Sequence, residues 1–275
     1  MSPDSSSSPI AELNPERGEL VRVVSDLHLG HERSRFAGMD AWRKNLRGCR
    51  HLVVAGDLAE TRCCEFREKG LALRARFAEL CREEGVELHV VAGNHDPDEP
   101  VQLLRLWEGK AVVFHGHSLF RNVAPWGWEF ILHKKECKRL IASHACCDTD
   151  LEDRLALAHE MSLLSPPVLR LGKPARTPLG RFIQHCVWPP SRPISIVMAW
   201  LTMGSRVHHF TESFFPDARI VCFGHFHRSG EWRRGGRRYF NTGAHFKNAT
   251  ATAVDLVDGE VAGVRRVALK PAAHH

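Results

Sequence analysis

Short apolar, β-branched runs recur along the chain, and each stops abruptly at a polar residue. LVRVVSD, HLVVAGD, VELHVVAGNHD and KAVVFHGH each read as a strand that ends in Asp, Asn or His. Between the second and third runs, Phe66, Leu73, Phe77 and Leu80 recur at helical spacing among charged residues, the pattern of an amphipathic helix laid on a sheet. The strand code resumes at ARIVCFGHFH and continues through RRYFNTGA, TATAVDLV and VAGVRRVAL. In between, residues 126–216 hold SPP, WPPSRP and many long apolar side chains without strand alternation. That composition predicts a mostly helical insertion, broken at Ser165–Pro167 and Pro189–Pro193. Strands alternating with helices predict an α/β sandwich, and the chain order is sheet, insertion, sheet.

Composition bounds this reading. With 275 residues, 43% of them hydrophobic and 25% charged, the chain has the balance of a folded domain and the length to bury a sizeable core. One domain over residues 18–270 carries the insertion. Residues 1–17 are Ser/Pro-rich and lack an apolar signal segment, so they read as a disordered tail. The cysteines number nine, an odd count without C-x-x-C spacing, which suits reduced thiols and a cytoplasmic location. The densest apolar stretch, Ile194–Met203, is about half the length of a membrane span. A net charge of +6 suits an anionic substrate or an anionic membrane face. No long Lys/Arg run gives a firm nucleic-acid signal.

The strand ends carry the chemistry. SDLH at Ser25–His28, GDLAE at Gly56–Glu60, GNHD at Gly93–Asp96, FHGH at Phe114–His117 and GHFH at Gly224–His227 would converge in the crevice beyond the carboxyl ends of the sheet. On a strand, Asp26 and His28 would point to one face. Converging carboxylate oxygens and imidazole nitrogens suit a divalent transition metal. The glycines before Asp57, Asn94 and His225 let the backbone approach that site closely.

In this order the segments resemble the pattern DxH, GDxx[DE], GNH[DE], His, GHxH of the calcineurin-like metallophosphoesterase superfamily, over roughly Val21 to Val267 with the insertion outside. The resemblance implies a four-layer α/β/β/α metallophosphoesterase sandwich. It makes Asp26, His28 and His227 ligands of one metal, Asp57 the bridge, and Asn94, His115 and His225 ligands of the other. It makes His95 the catalytic histidine, which Asp96 is expected to orient, and leaves Asn94 and His117 on the substrate side. His144, after the apolar run LIASHA, competes with His115 for the fifth motif. Two divalent ions are expected, manganese first, with iron or zinc as alternatives. Held close together, they would generate hydroxide near neutral pH and clamp both oxygens of an in-line phosphoryl displacement.

Within the superfamily the order FHGH, apolar insertion, GHFHRSG and NTGAHF is similar to the UDP-2,3-diacylglucosamine hydrolases, where the insertion acts as an acyl-binding lid. Two positions depart, since that branch commonly has Arg at His95 and Asp at His117. A phosphate-containing small molecule or a lipid-linked substrate is therefore expected. Ile194, Val197, Met198, Leu201 and Met203, rimmed by Arg170, Lys173, Arg176, Arg181, Arg192 and Arg206, suit peripheral contact with an anionic membrane. A nucleic-acid-associated phosphoesterase and a non-catalytic scaffold of the same fold are the alternatives. A scaffold would be marked by lost ligands, and all seven are present.

Overall fold

Strand β3, His51–Ala55, shows why its run is apolar: Leu52 and Val54 bury into one layer while Val53 and Ala55 bury into another. A strand covered on both faces needs apolar side chains at both phases of its alternation. The computed structural model describes residues 8–127, 133–164, 177, 191–246 and 249–269, and in it two such sheets lie face to face. One sheet runs β11 (Glu260–Arg266), β10 (Thr252–Val257), β2 (Val21–Val24), β3 and β4 (Glu87–Val91). In it β2, β3 and β4 are parallel and β10 is antiparallel to β2. The second runs β1 (Ile10–Leu13), β5 (Leu103–Leu106), β6 (Ala111–Phe114), β7 (Ile220–Phe223), β9 (Arg237–Asn241) and β8 (Gly230–Arg234).

Val23, Val53 and Val254 from the first sheet meet Val113, Cys222 and Phe240 from the second, which makes the central layer apolar throughout. Outside the first sheet, α1 (Met39–Leu46) and α2 (Cys64–Glu83) bring Trp42 and Phe77 onto Leu52 and Val54. Outside the second, the long helix α5 (Ser191–Phe214) brings Val207 and Phe210 onto Phe114, Val221 and Phe223. These are the four layers α/β/β/α that the family resemblance implies. The described part of the insertion is helical, with α3 (Lys134–Ser143), α4 (Leu151–Leu163) and α5, and α3 and α4 share a small core of Cys137, Cys147, Leu157 and Met161. No helix among the described residues is long and apolar enough to cross a membrane.

Two expectations need correction. Residues 10–13 are not part of a disordered tail: β1 pairs in parallel with β5 from Ile10↔Leu103 to Leu13↔Leu106. Ile10 packs on one core layer and Ala11 and Leu13 on another, so four residues suffice to hold an edge strand. Residues 1–7 lie outside the described residues. Pro193 is not a break but sits in the first turn of α5, where a missing N–H breaks no helical hydrogen bond. Ser165–Pro167 and Pro189 lie outside the described residues.

The outer layer yields a stability prediction. Phe77 is fully buried with its ring edge-on to Trp42 at 5.2 Å. Phe77→Ala should lower unfolding free energy by about 3–5 kcal/mol in urea titration, whereas Leu71→Ala on the exposed side of the same helix should change it by no more than about 0.5 kcal/mol. Equal losses at the two positions would contradict the layer assignment.

Candidate metal centre

Beyond their last paired residues, the strands turn sharply, and the residues at those turns hold the chemistry. Asp26, His28, Asp57, His225 and His227 all have positive φ, between 48° and 72°. Such backbone costs a non-glycine residue energy and persists only where the surroundings fix it. Asp26 and His28 therefore share a site not by strand alternation, because β2 ends at Val24, but because both adopt left-handed conformations in the loop beyond it.

Asp96 is one of the fixing groups. Its carboxylate, 1% exposed, accepts hydrogen bonds from the backbone N–H of Gly93 at 2.8 Å, Asp57 at 3.0 Å and Leu58 at 2.7 Å. It binds the GDLAE and GNHD loops together. The glycines contribute by size: a Cβ on Gly93 would collide with the Asp57 carboxylate, and one on Gly224 with that of Asp26.

The donor atoms form two groups that meet at one oxygen. In the first, His28 Nε2 lies 3.6 Å from Asp57 Oδ2, 3.7 Å from Asp26 Oδ1 and 3.3 Å from His227 Nε2, and His227 Nε2 lies 3.2 Å from Asp26 Oδ1. In the second, His115 Nε2 lies 3.2 Å from Asp57 Oδ2, 3.2 Å from Asn94 Oδ1 and 3.3 Å from His225 Nδ1. Metal bonds of about 2.0–2.2 Å place neighbouring donors about 3–3.5 Å apart, so both groups fit a divalent transition metal. Asp57 Oδ2 faces both, and Asp57 Oδ1 accepts from the His95 N–H at 2.9 Å, which fixes the plane of the carboxylate.

The outer nitrogens are equally committed. His28 Nδ1 donates to Glu60 Oε1 at 2.9 Å, His115 Nδ1 to the Ala55 carbonyl at 2.9 Å, and His225 Nε2 to the Val123 carbonyl at 3.0 Å. Each bond selects the tautomer that turns the other nitrogen toward the centre. Val123 itself has φ of 57°, rare for a β-branched residue.

Burial alone would raise the pKa values of Asp26, Asp57 and Glu60, yet the surrounding imidazoles hold all three below the usual carboxylate range. The effect is reciprocal. Against burial, Asp26 and Glu60 raise His28 to about 9, and Asp57 and Asp26 raise His115 to about 9. His225, which meets other imidazoles, is driven well below the usual value by burial, His115 and His117.

All seven expected ligands converge. His115 of FHGH lies inside the cluster, whereas His144 pairs with Asp153 at 2.6 Å in the insertion. Two expected roles change. Asp96 does not orient His95, since its oxygens are taken by backbone N–H groups; Glu60 does, with Oε2 2.9 Å from His95 Nδ1. His117 is 2% exposed beneath His115 and cannot face a substrate from there, and its Nδ1 has no hydrogen-bond partner among the described residues. Glu60 was legible as the last residue of GDLAE, but nothing in one sequence says that its carboxylate reaches two histidines. Of the basic rim, Arg170, Lys173, Arg176 and Arg181 lie outside the described residues, and Arg206 stacks on Phe120 at 4.7 Å.

The raised histidines give a pH prediction. His28 and His115 are held in the imidazolium form at neutral pH in the metal-free chain, and each must give up its second proton to bind a metal, so metal binding should release about two protons per chain. Affinity should rise as pH climbs toward about 9. Titration calorimetry in buffers of different ionisation enthalpy measures this, and heats independent of buffer would contradict it.

A profile of the calcineurin-like phosphoesterases matches residues 20–229. No curated protein is significantly similar in sequence. Among solved structures, a protein serine/threonine phosphatase from Saccharomyces cerevisiae matches with a TM-score of 0.47 at 12% identity, covering 97% of this chain and 85% of that one. A predicted phosphoesterase from Streptococcus pneumoniae matches at 0.38 and 12%, over 87% and 84%. Vacuolar protein sorting 29 from Cryptosporidium parvum matches at 0.42 and 11%, over 91% and 97%. With the profile spanning all five strand-end segments, the chain belongs to the calcineurin-like phosphoesterase family, as a metal-dependent hydrolase of phosphoric esters.

Proposed function

We propose that this phosphoesterase uses two divalent ions, manganese by preference, to cleave a phosphodiester or pyrophosphate in a substrate with an apolar part, of the UDP-sugar lipid class. Cytoplasmic action at the inner membrane surface follows from that substrate. The observation that carries the proposal is the face of α5. Ile194, Val197, Met198 and Leu201 are 65%, 50%, 50% and 74% exposed on it. The same helix is tied to the GHFH loop by Trp200 Nε1, which donates to the Phe226 carbonyl at 3.3 Å. The helix that carries this apolar surface is thus anchored to the loop of His225 and His227, and an acyl chain attached to a reacting phosphate would run along it.

Asp26, His28 and His227 would hold one ion and Asn94, His115 and His225 the other, with Asp57 shared. When bound, two such ions lower the pKa of water and neutralise charge on phosphoryl oxygens. The protein's own proton chemistry centres on His95, whose side chain is 33% exposed at the mouth of the site. Glu60 accepts its Nδ1–H, so it is Nε2 that can, when protonated, hydrogen-bond the phosphoryl group or place a proton on the leaving oxygen.

The test is a substrate panel: an aryl phosphodiester, an aryl phosphomonoester, a UDP-sugar lipid and single-stranded DNA, with manganese-loaded protein and a Val197→Asp/Leu201→Asp variant. Burying each side chain against acyl groups contributes roughly 1.5–3 kcal/mol. The variant should therefore raise the KM for the lipid more than about tenfold and leave aryl phosphodiester turnover unchanged. Equal loss on both substrates, or a preference of the unaltered protein for DNA, would overturn the lipid reading.

A further inference from the structure

At the opposite end of the first sheet the apolar alternation is broken. Val53 and Ala55 of β3 point into the central layer, and the preceding position on that face is His51, 5% exposed. In register, His51 pairs with Glu87 and Val53 with His89, so both β4 residues share the face. Three polar, metal-ligating side chains thus occupy positions where the pattern of these strands calls for apolar ones.

Their geometry is that of a coordination site. His51 Nδ1 lies 3.2 Å from His89 Nε2 and 3.4 Å from Glu87 Oε2. These are the spacings of neighbouring donors in a tetrahedron with bonds of about 2.0–2.1 Å. Behind the cluster, His51 Nε2 donates to Glu19 Oε2 at 3.0 Å, which fixes the tautomer with the Nδ1 lone pair facing inward. Burial and His51 keep His89 below the usual histidine pKa, in the neutral form a metal requires. Arg50 pairs with Glu19 Oε1 at 3.4 Å and Glu87 Oε1 at 2.5 Å, and so leaves the Oε2 atoms to the histidines.

We propose that His51, Glu87 and His89 form a second site, separate from the strand-end cluster, for a divalent transition-metal ion of the zinc type, which ties edge strand β4 to β3. Nitrogen and carboxylate donors exclude calcium and magnesium as preferred occupants. Water completes the coordination from the exposed side of Glu87. The site does not depend on the proposed substrate, since none of its residues touches the strand-end cluster.

The experiment compares zinc binding by the full-length protein with that by His89→Gln and Glu87→Gln, using elemental analysis after desalting and the visible absorption of added cobalt. The unaltered chain should retain one ion more than either variant, or bind it at least tenfold more tightly. It should also show the tetrahedral cobalt bands that both variants weaken. Aryl phosphodiester turnover should stay within twofold in all three. If His89→Gln fails to fold, Glu87→Gln decides alone, because that side chain is 48% exposed. An unchanged ion count and affinity in Glu87→Gln would overturn the proposal and leave a hydrogen bond between two imidazoles only.

Discussion

The carboxylate of Asp57 is almost fully buried, and one of its oxygens faces imidazoles from both sheets. His28 follows β2 in the first sheet and His115 follows β6 in the second, each within 3.6 Å of Oδ2. A buried charge without compensation would be prohibitive. The loops are arranged to supply that compensation from every side, with backbone N–H groups, imidazoles and, on binding, cations. The two sheets must then end in register at one point, which makes the site a condition on the stacking of the whole sandwich.

That condition explains the backbone around the centre. Five residues of the two donor groups adopt left-handed φ because only sharp turns beyond the strands bring their side chains back over the crevice. Asp96 anchors the turn that carries Asp57, and Glu60 clamps His28 and His95 with its two oxygens. Both carboxylates hold positions of other groups and lie outside the two donor sets. The strain at the centre is offset by apolar layers in which the largest side chains, Trp42, Tyr239 and Phe77 among them, are fully buried.

Much of this was legible. The core strands announced themselves because burial on both faces leaves little but β-branched and aromatic residues, and the motifs because left-handed turns admit few residue types. The elements missed are those with weak patterns. GEWRR forms β8, a largely exposed edge strand whose composition looks like loop, and IAEL and LLRL are too short to show a period. Helix α1 is also brief, at eight residues. The roles misread, of Asp96 and His117, depend on where a side chain points after the loops have folded, and one sequence carries no signal for that. His51 and His89 stood within runs read simply as strands, although each interrupts the apolar face that defines one.

If Asp57 is shared between two metal sites, its charge holds the whole centre together. The direct measurement is metal content and thermal melting of Asp57→Asn against the unaltered protein. An amide keeps the shape of the side chain and removes the charge that holds two cations close. A shared Asp57 requires a native-like melting transition in the variant, the loss of at least one tightly bound ion per chain and a fall in aryl phosphodiester turnover of more than about a hundredfold. Full metal retention with undiminished turnover would contradict it.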